Sequence, residues 1–396
     1  MRPLEGIRVL DLSRLVAGGM AGMLLADFGA DVVKVEQPGV GDPLRQWTHE
    51  GKPLWWRVYG RNKKSITLNL QSPIGKSLFQ KLIPRFDVMI ESFVPGTLDR
   101  WGFTWDELHR LNRGLVLLRI SGWGQDGPGS DRPGFGTLVE AASGFAAMNG
   151  EPDGAPIVPA YPMADMISAL YGCNAIMFAL HHRDTQPTPR EGQCIDLSLF
   201  ESLFSVLGPL AAEYATSGKV RPRIGSRSKN AAPRGVYRTR DEKFIAVSGA
   251  TPKMAERFLH AYGLDHLLQD SRFEKNEARV KHVAELDAEI EQAIGARTLE
   301  ENMLIVKEND LTAVPVQTIA DIERDPHWQA RQLTLGFCDD AGAVRMHNVF
   351  PRLSATPGEI HWSGRATIGA DNESIYCGEL GLSREELADL YREGIV

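Results

Sequence analysis

Short apolar runs alternate with helix-length segments through the first third of the chain. Residues 7–12 and 31–36 have the apolar pattern of buried strands, and residues 20–28 between them have the small apolar residues of a helix packed on a sheet. Residues 17–19, Ala-Gly-Gly, are predicted to form the turn before that helix. Because strands joined by a helical crossover run parallel, this pattern predicts an α/β fold.

The same alternation of strand and helix continues to about residue 122. Ser72 is predicted to cap a helix, with Pro73 in its first turn, because the serine oxygen accepts a hydrogen bond from a free helix N–H and proline has none to leave unpaired. Ser383 and Glu386 form the capping-box pattern of a final helix. The remaining predicted strands are at 65–70, 88–91, 115–121 and 194–199, and the remaining predicted helices are at 73–83, 104–111, 160–182 and 383–392. A further helix is predicted to follow the strand at 194–199 and to run to about residue 216.

Residues 217–234 interrupt this pattern with glycines, prolines and six cations but no acid, which predicts a linker or mobile loop. Beyond them, a hairpin at 235–247 and helices at 252–262 and 278–308 indicate a smaller α+β unit. We therefore expect a large domain whose N-terminal part is 1–216, a linker at 217–234, a small domain at 235–322, and a return to the large domain at 323–396.

Length, charge and cysteine content narrow the class of protein. A chain of 396 residues predicts two to three domains, and the net charge of −7 argues against a nucleic-acid-binding protein held by bulk charge. The four cysteines are far apart and form no C-x-x-C pair, so no zinc site is expected. With no signal-peptide stretch and no run of 18 apolar residues, we expect a cytoplasmic protein that does not interact with membranes.

Two glycine-rich segments superficially resemble dinucleotide sites. Gly18-Gly19 follows the first strand, but its glycine spacing does not match G-x-G-x-x-G. Residues 122–127 do match, yet Pro128 and further loop residues follow, so no helix N-terminus is predicted to meet a phosphate. Paired His181-His182 are expected to lie at a helix C-terminus rather than to bind metal. The sequence therefore predicts neither NAD nor a metal site.

Asp165 is the acid with the most unusual surroundings. It lies in an apolar segment at the predicted start of a helix just after Pro162. One interpretation is a helix-capping residue, since a first-turn carboxylate meets unpaired helix N–H groups. The other is a desolvated carboxylate nucleophile presented by the helix. The segment by itself leaves both open.

An aromatic run precedes a basic one between residues 47 and 64. Trp47, Trp55, Trp56 and Tyr59 are followed by Arg61-Asn62-Lys63-Lys64. Packing in the core or in a lid is one interpretation, and a pocket wall beside cations that bind phosphates is the other.

Motifs in order along nearly the whole chain resemble the family III CoA-transferases, the group of formyl-CoA, carnitine and bile-acid-inducible CoA-transferases. The matching segments are 3–12, 28–36, 62–66, 91–96, 102–103, 121–128, 232–233, 314–316, 325–326 and 379–382. The resemblance implies a Rossmann-like large CoA-binding domain built from both chain ends and a smaller middle domain. It also implies an interlocked homodimer.

The resemblance implies site residues as well. The family's nucleophile aligns with Asp165, and a loop along the CoA chain aligns with Val16 and Ala17. The other implied CoA contacts are Leu68 and Gln71 near the adenine, Ser92 and Phe93 in place of an Asn-Phe pair, and a phosphate-binding Arg100. Gln71 and Ser92 depart from the family pattern. The Gly-rich active-site loop of formyl-CoA transferase is absent, so residues 225–234 are expected to serve a different acceptor.

The implied activity is transfer of CoA from an acyl-CoA thioester to a free carboxylic acid. A dicarboxylate held by the basic 217–234 segment is one candidate acceptor. CoA is then a substrate, and no permanently bound cofactor is expected. One alternative is α-methylacyl-CoA racemase chemistry, but Phe135 occupies the position of the histidine that moves the proton there. The other alternative is a non-catalytic CoA-binding dimer, which would not need Asp165.

Overall fold

The structure, a computed structural model, describes residues 2–188, 190–339 and 341–396. Its strands are β1 Arg8–Asp11, β2 Asp31–Glu36, β3 Lys63–Thr67, β4 Val88–Glu91, β5 Val116–Ser121, β6 Cys194–Ser198, β7 Arg234–Arg238, β8 Phe244–Ser248, β9 Ala313–Pro315, β10 Thr334–Asp339 and β11 Gly342–His347.

Its α-helices are α1 Val16–Asp27, α2 Leu54–Tyr59, α3 Pro73–Leu82, α4 Thr97–Arg100, α5 Trp105–Leu111, α6 Gly136–Ala142, α7 Phe145–Met148, α8 Met163–Thr185, α9 Leu199–Ser205, α10 Leu210–Ser217, α11 Pro252–Ala261, α12 Asp265–Leu268, α13 Asn276–Lys281, α14 Val283–Gly295, α15 Leu299–Glu308, α16 Ile319–Arg324, α17 Pro326–Ala330 and α18 Arg384–Arg392. Short 3₁₀ helices span Pro43–Gln46 and Ile83–Arg85, and a π-helix spans Glu373–Cys377.

The chain divides into two compact units. Unit 1 comprises the residues up to Phe145 together with Val158–Leu210 and Gln332–Val396. Unit 2 comprises Ala146–Ile157 and Ala211–Arg331. Both ends of the chain thus belong to unit 1.

Unit 1 is built on a six-stranded parallel sheet in the order β3-β2-β1-β4-β5-β6. Alternate side chains of its strands enter two separate apolar cores, because successive side chains of a strand point to opposite faces. Leu10 and Val33 pack with helices α3, α5 and α18, whereas Val9 and Val32 pack with α1, α6, α8 and α9. The predicted α/β fold with a parallel sheet is confirmed.

Unit 2 contains a three-stranded antiparallel sheet in the order β7-β8-β9. The predicted hairpin is present as β7 and β8. The single helix expected over 278–308 is wrong, because three helices, α13 to α15, cover that region. Helix α14 ends at Gly295, and a new helix, α15, starts after Thr298, its N-cap residue. The Thr298 side chain accepts from Glu301 N–H, and the Glu301 carboxylate accepts from Thr298 N–H.

The predicted turn at residues 17–19 is wrong, since helix α1 already begins at Val16. The glycines lie inside the helix because they allow close packing. A Cβ on Gly18 would overlap the Ser13 side chain, and one on Gly22 would lie 2.8 Å from Asp11 Oδ2 and 2.9 Å from Lys63 Nζ. Glycine serves here to bring a helix close to a strand, a role that local sequence does not distinguish from a turn.

Two other predicted boundaries also shift. Strand β3 covers Lys63–Thr67 rather than 65–70, and the helix expected to run to about 216 is divided into α9 and α10. Gly208, which has a positive φ of 78°, lies in the break. The helix caps predicted at Ser72 and Ser383 are confirmed: Ser72 accepts from Gly75 N–H, and Ser383 forms its capping box with Glu386.

Helix α8 is long and apolar enough, by length and composition alone, to cross a membrane. It packs on α1, on α9 and on β5 and β6, and Ala169, Ile176 and Leu180 lie in the core of unit 1. The helix therefore serves as a core element of this unit, and its first turn carries Asp165.

Candidate active site at the carboxyl edge of the sheet

The candidate site lies beside the point where the direction of the crossover connections reverses, between strands β1 and β4. Ligands of doubly wound sheets bind at this point, outside the carboxyl ends of the strands. The loops that leave β1 and β4 are joined there, because Ser92 Oγ accepts a hydrogen bond from Arg14 N–H at 2.9 Å. Helix α1 then begins at Val16, so its N-terminus also lies at this edge.

Asp165 is partly buried in the first turn of α8. Burial, and after it the charge of Glu140, raises the pKa of the Asp165 carboxyl to about 6. Hydrogen bonds from the backbone N–H groups of Asp165 itself and of Ala17 oppose this rise. Pro162 holds the N-cap position of α8, and no side chain of that residue caps the helix. The Asp165 carboxylate accepts from its own N–H in the first turn, which supports the interpretation that it meets free helix N–H groups. The hydrogen bond from Ala17 also holds the carboxylate next to the N-terminus of a second helix, α1.

Gly136, the first residue of α6, provides the space for the Asp165 carboxylate. A Cβ at position 136 would overlap Asp165 Oδ2 and would lie 3.4 Å from its Cγ. One turn later on α6, the buried Glu140 accepts a hydrogen bond from Ala164 N–H at 3.0 Å. Sequence reasoning missed both residues. Gly136 and Glu140 are four residues apart and so lie on the same face of α6. This spacing points to a functional site only once the fold places Asp165 opposite that face.

The loop that presents Ala17 has an unusual backbone conformation. Leu15, the N-cap residue of α1, has φ 63° and ψ −141°, a region that costs a non-glycine residue about 1–3 kcal/mol. Its N–H is bound by Asp42 Oδ1 at 3.3 Å. Such strain persists only where the surroundings hold the residue in place, and here it sets the direction in which α1 starts.

A buried ionic network supplies that support. Lys34 Nζ lies 3.0 Å from Asp42 Oδ2 and 3.5 Å from Asp11 Oδ1, and it also donates to the Ser13 carbonyl. Asp11 Oδ1 accepts from Ser13 N–H at 3.0 Å, and Asp11 Oδ2 lies 2.7 Å from Lys63 Nζ. These side chains are almost fully buried. The loop between β1 and α1 is therefore held by charge-assisted hydrogen bonds from two strands and a following loop.

The aromatic run contributes to the same region. Val16, Leu44 and Trp56 form a small apolar cluster, against which Leu15, Trp55, Tyr59 and Met166 pack. Met166 directly follows Asp165, so the cluster packs on the first turn of α8, which carries Asp165.

The basic residues after the aromatic run have other roles. Arg61 pairs with Asp27 at 2.6 Å and Lys63 pairs with Asp11, and both cations are buried. Lys64 pairs with Asp31 at 2.7 Å. The idea that Arg61 and Lys63 bind phosphates is therefore wrong, because both are enclosed in internal ion pairs.

The structure brings some of the predicted CoA contacts together. Val16 and Ala17 begin α1, next to Asp165, and Ser92 is bound to the loop just before them. Phe93 follows Ser92 and packs edge-on against Trp101 with ring centroids 5.0 Å apart.

The other predicted contacts are farther along the same edge. Leu68 follows β3, two strands from β1, and its side chain lies in the core. Gln71 is exposed three residues later, and Arg100 is exposed at the end of α4, where Nη2 donates to Thr97 Oγ1 at 2.8 Å. As CoA contacts, all seven residues remain predictions.

Most cations of the basic segment are bound within unit 2. Arg221 and Lys229 both pair with Glu213, and Arg227 pairs with Asp287 at 2.7 Å. Arg223 Nη2 donates to the Gly154 carbonyl at 2.7 Å. These guanidinium and ammonium groups already have partners, which weakens the expectation that the segment holds a second substrate carboxylate.

Phe135 precedes Gly136 at the start of α6 and is 61% exposed. The position that a racemase would fill with a proton-transferring histidine therefore carries an apolar ring. His181 and His182 lie in the last turns of α8, the end away from Asp165. Among the described residues, no cluster of three or more His, Cys, Asp or Glu side chains could hold a metal ion.

Fold and site together define an α/β protein with a shielded carboxylate at the ligand-binding edge of a parallel sheet. The family model described as CoA-transferase family III matches residues 4–372. The chain therefore belongs to CoA-transferase family III, and it is a CoA-transferase.

Individual similar proteins agree with this family. The succinyl-CoA–D-citramalate CoA-transferase of Chloroflexus aurantiacus is 39% identical over 399 residues, covering 100% of this chain and 98% of that protein. The succinate–glutarate CoA-transferase of Agrobacterium fabrum is 34% identical over 355 residues, covering 86% and 87%. A crystal structure of a CaiB/BaiF family protein from Brucella suis superposes with a TM-score of 0.84 at 30% identity, covering 95% of this chain and 99% of that one.

Proposed function

We propose that this enzyme moves CoA between two carboxylic acids through covalent intermediates on Asp165. The supporting observation is the position of that carboxylate: partly buried, opposite the bare Cα of Gly136, and hydrogen-bonded by Ala17 N–H. A poorly hydrated carboxylate is a stronger nucleophile than one in water. The absence of a side chain at Gly136 lets the carboxylate occupy this position.

The reaction proceeds in two steps and their reversal. An Asp165 oxygen bonds to the thioester carbon as the C–S bond breaks, giving a mixed anhydride and the CoA thiolate. The thiolate then bonds to the Asp165 carbonyl carbon, the anhydride C–O bond breaks, and the donor acid leaves as a carboxylate. An acceptor carboxylate reverses both steps and leaves as the new thioester. The Ala17 N–H is placed to stabilise the oxyanion that develops on Asp165 in the second step.

The substrates we propose are succinyl-CoA as donor and a second dicarboxylic acid as acceptor. The support is that both similar CoA-transferases above are named for succinate or succinyl-CoA and a further dicarboxylate, citramalate or glutarate.

Incubation with succinyl-CoA should leave a covalent adduct on Asp165 that hydroxylamine cleaves, and mass spectrometry of the peptide should detect it. Transfer to citramalate, malate or glutarate should exceed transfer to acetate. Exchange of the α-proton of a 2-methylacyl-CoA that is faster than CoA transfer would instead support the racemase alternative.

The rate should depend on pH through Asp165. The nucleophile must be ionised, and its pKa is raised to about 6, so kcat/KM should fall roughly tenfold for each pH unit below about 6. A profile from pH 4.5 to 8.5 with acetyl-CoA as donor checks this, because acetyl-CoA has no carboxyl group that titrates. If kcat/KM falls only below about pH 4, Asp165 is as well solvated as an ordinary aspartate, and this result would contradict the proposed site.

We also propose that the enzyme forms a homodimer, with unit 1 as its Rossmann-like CoA-binding domain. The support is an exposed apolar stripe on α8: Leu170, Tyr171, Met177 and Phe178 recur at a spacing of seven and are 49%, 42%, 40% and 72% exposed. Residues seven apart share a helix face, and a contiguous apolar face is typical of an interface. Light scattering behind size-exclusion chromatography should give twice the 43.7 kDa chain mass. A monomer mass would overturn the proposal.

A further inference from the structure

Glu140 is a second buried carboxylate in the site, and no cation among the described residues forms an ion pair with it. Its side chain is 1% exposed, and its Oε1 accepts from Ala164 N–H, the residue before Asp165. A Cβ placed on Gly136 would lie 3.4 Å from Asp165 Cγ and 3.8 Å from Glu140 Oε1. The two carboxyl groups therefore border the same small space.

The other charged groups on α8 and on the elements near it have partners of their own or are exposed. They are Asp27 of α1, paired with Arg61; Lys63 of β3, paired with Asp11; Arg57 of α2, paired with Asp339; Arg119 of β5, paired with Glu91 and Asp99; Asp196 of β6, bound by Gln125 N–H; Glu201 of α9; and His181, His182, Arg183 and Asp184 at the far end of α8. Among the residues that the structure describes, no Lys, Arg or His forms an ion pair with Glu140 or Asp165. Burial is the main cause that raises the pKa of Asp165, and the charge of Glu140 raises it further.

Charge on Asp165 changes during the proposed reaction. In the resting enzyme Asp165 is anionic above about pH 6. When Asp165 attacks the thioester, its negative charge leaves on the CoA sulfur, and in the later thioester it leaves on the departing acid. Asp165 is thus neutral in both covalent states, while Glu140 keeps its charge. Two like charges in a partly desolvated space repel each other, so forming either covalent state removes that repulsion.

We propose that Glu140 is a positioning residue that makes the anionic resting state of Asp165 costly and thereby favours the covalent intermediates. The inference rests on the proposed function of Asp165 as nucleophile. The Glu140 carboxylate accepts from Ala164 N–H and so holds the first turn of α8 in place. The charge of Glu140 acts on the Asp165 carboxylate, which that turn presents.

Glu140→Gln separates the charge from the hydrogen bond, because the amide oxygen still accepts from Ala164 N–H. We expect the acid limb of kcat/KM to move to lower pH by about one unit, the scale of shift that a neighbouring charge produces. The fraction of enzyme trapped as the Asp165 adduct at equilibrium with succinyl-CoA and CoA should fall about tenfold, with KM little changed. Quenching the reaction with acid, followed by mass spectrometry, measures the adduct.

Two further variants make the outcome decisive. Glu140→Asp keeps the charge and should keep the acid limb of the wild type, even if the shorter side chain lowers stability. Glu201→Gln removes an acid from α9, which also packs on α8, and should change neither readout. The inference is overturned if Glu140→Gln leaves both the acid limb of kcat/KM and the adduct fraction unchanged. It is also overturned if Glu140→Asp moves the acid limb as far as Glu140→Gln does. Turnover by Asp165→Asn would instead overturn the proposed function itself.

Discussion

Asp165→Asn should lower CoA transfer by about 10⁴-fold or more, the scale on which loss of a nucleophile acts. The amide has nearly the same shape as the carboxylate and still accepts hydrogen bonds, but it does not form the mixed anhydride. With succinyl-CoA as donor, the variant should show no adduct at position 165. Asp131→Asn is the matched control: it removes the same charge from an exposed loop and should transfer CoA at the wild-type rate.

The same variant should be more stable than the wild type at high pH. The pKa of Asp165 is raised from its ordinary 3.8 to about 6 by burial and by Glu140, so the folded state prefers the neutral form. The stability that this group contributes is complete below about pH 4 and is lost as the pH rises through about 6. Asn stays neutral, so its thermal midpoint should exceed that of the wild type at pH 8, and the two should converge towards pH 4.

These two readouts together distinguish a nucleophile from a structural residue. A structural aspartate would lose stability on replacement, and activity would fall with the folded fraction. An active Asp165→Asn enzyme, or an inactive one that melts earlier at pH 8, would contradict the assignment.

Gly136→Ala should lower kcat by at least about 100-fold, because a misplacement of reacting groups by about 1 Å has an effect of this size. The new Cβ would overlap Asp165 Oδ2, so the carboxylate must move from the position that it holds in the structure. The fold should survive, since alanine is a good helix former at the first position of α6. Steady-state kinetics and the yield of Asp165 adduct measure the change.

Gly336→Ala is the control for Gly136→Ala. Gly336 lies in β10, and a Cβ there would meet nothing within 4 Å. It should leave kcat unchanged. Full activity in Gly136→Ala would mean that the carboxylate works from another rotamer and that the bare Cα has no role.

Much of the fold can be predicted from the sequence because it depends on local pattern. The alternation of apolar residues predicts the parallel sheet, and Ser72, Ser383 and Glu386 predict helix ends, since a capping hydrogen bond joins residues three apart. The start of α1 is different. The glycines of α1 look like a turn until the tertiary structure shows that Ser13, Asp11 and Lys63 leave no room for side chains.

For the site, the sequence by itself determined that an acid at position 165 stands at the start of an apolar helix, and the family motifs identified it as the candidate nucleophile. Only the tertiary structure decided its environment. Glu140 and Gly136 come from another helix and Ala17 from the start of α1, while Arg61 and Lys63 are withdrawn into ion pairs with Asp27 and Asp11. Burial and charge proximity depend on contacts between residues far apart in the chain, and no local pattern encodes them.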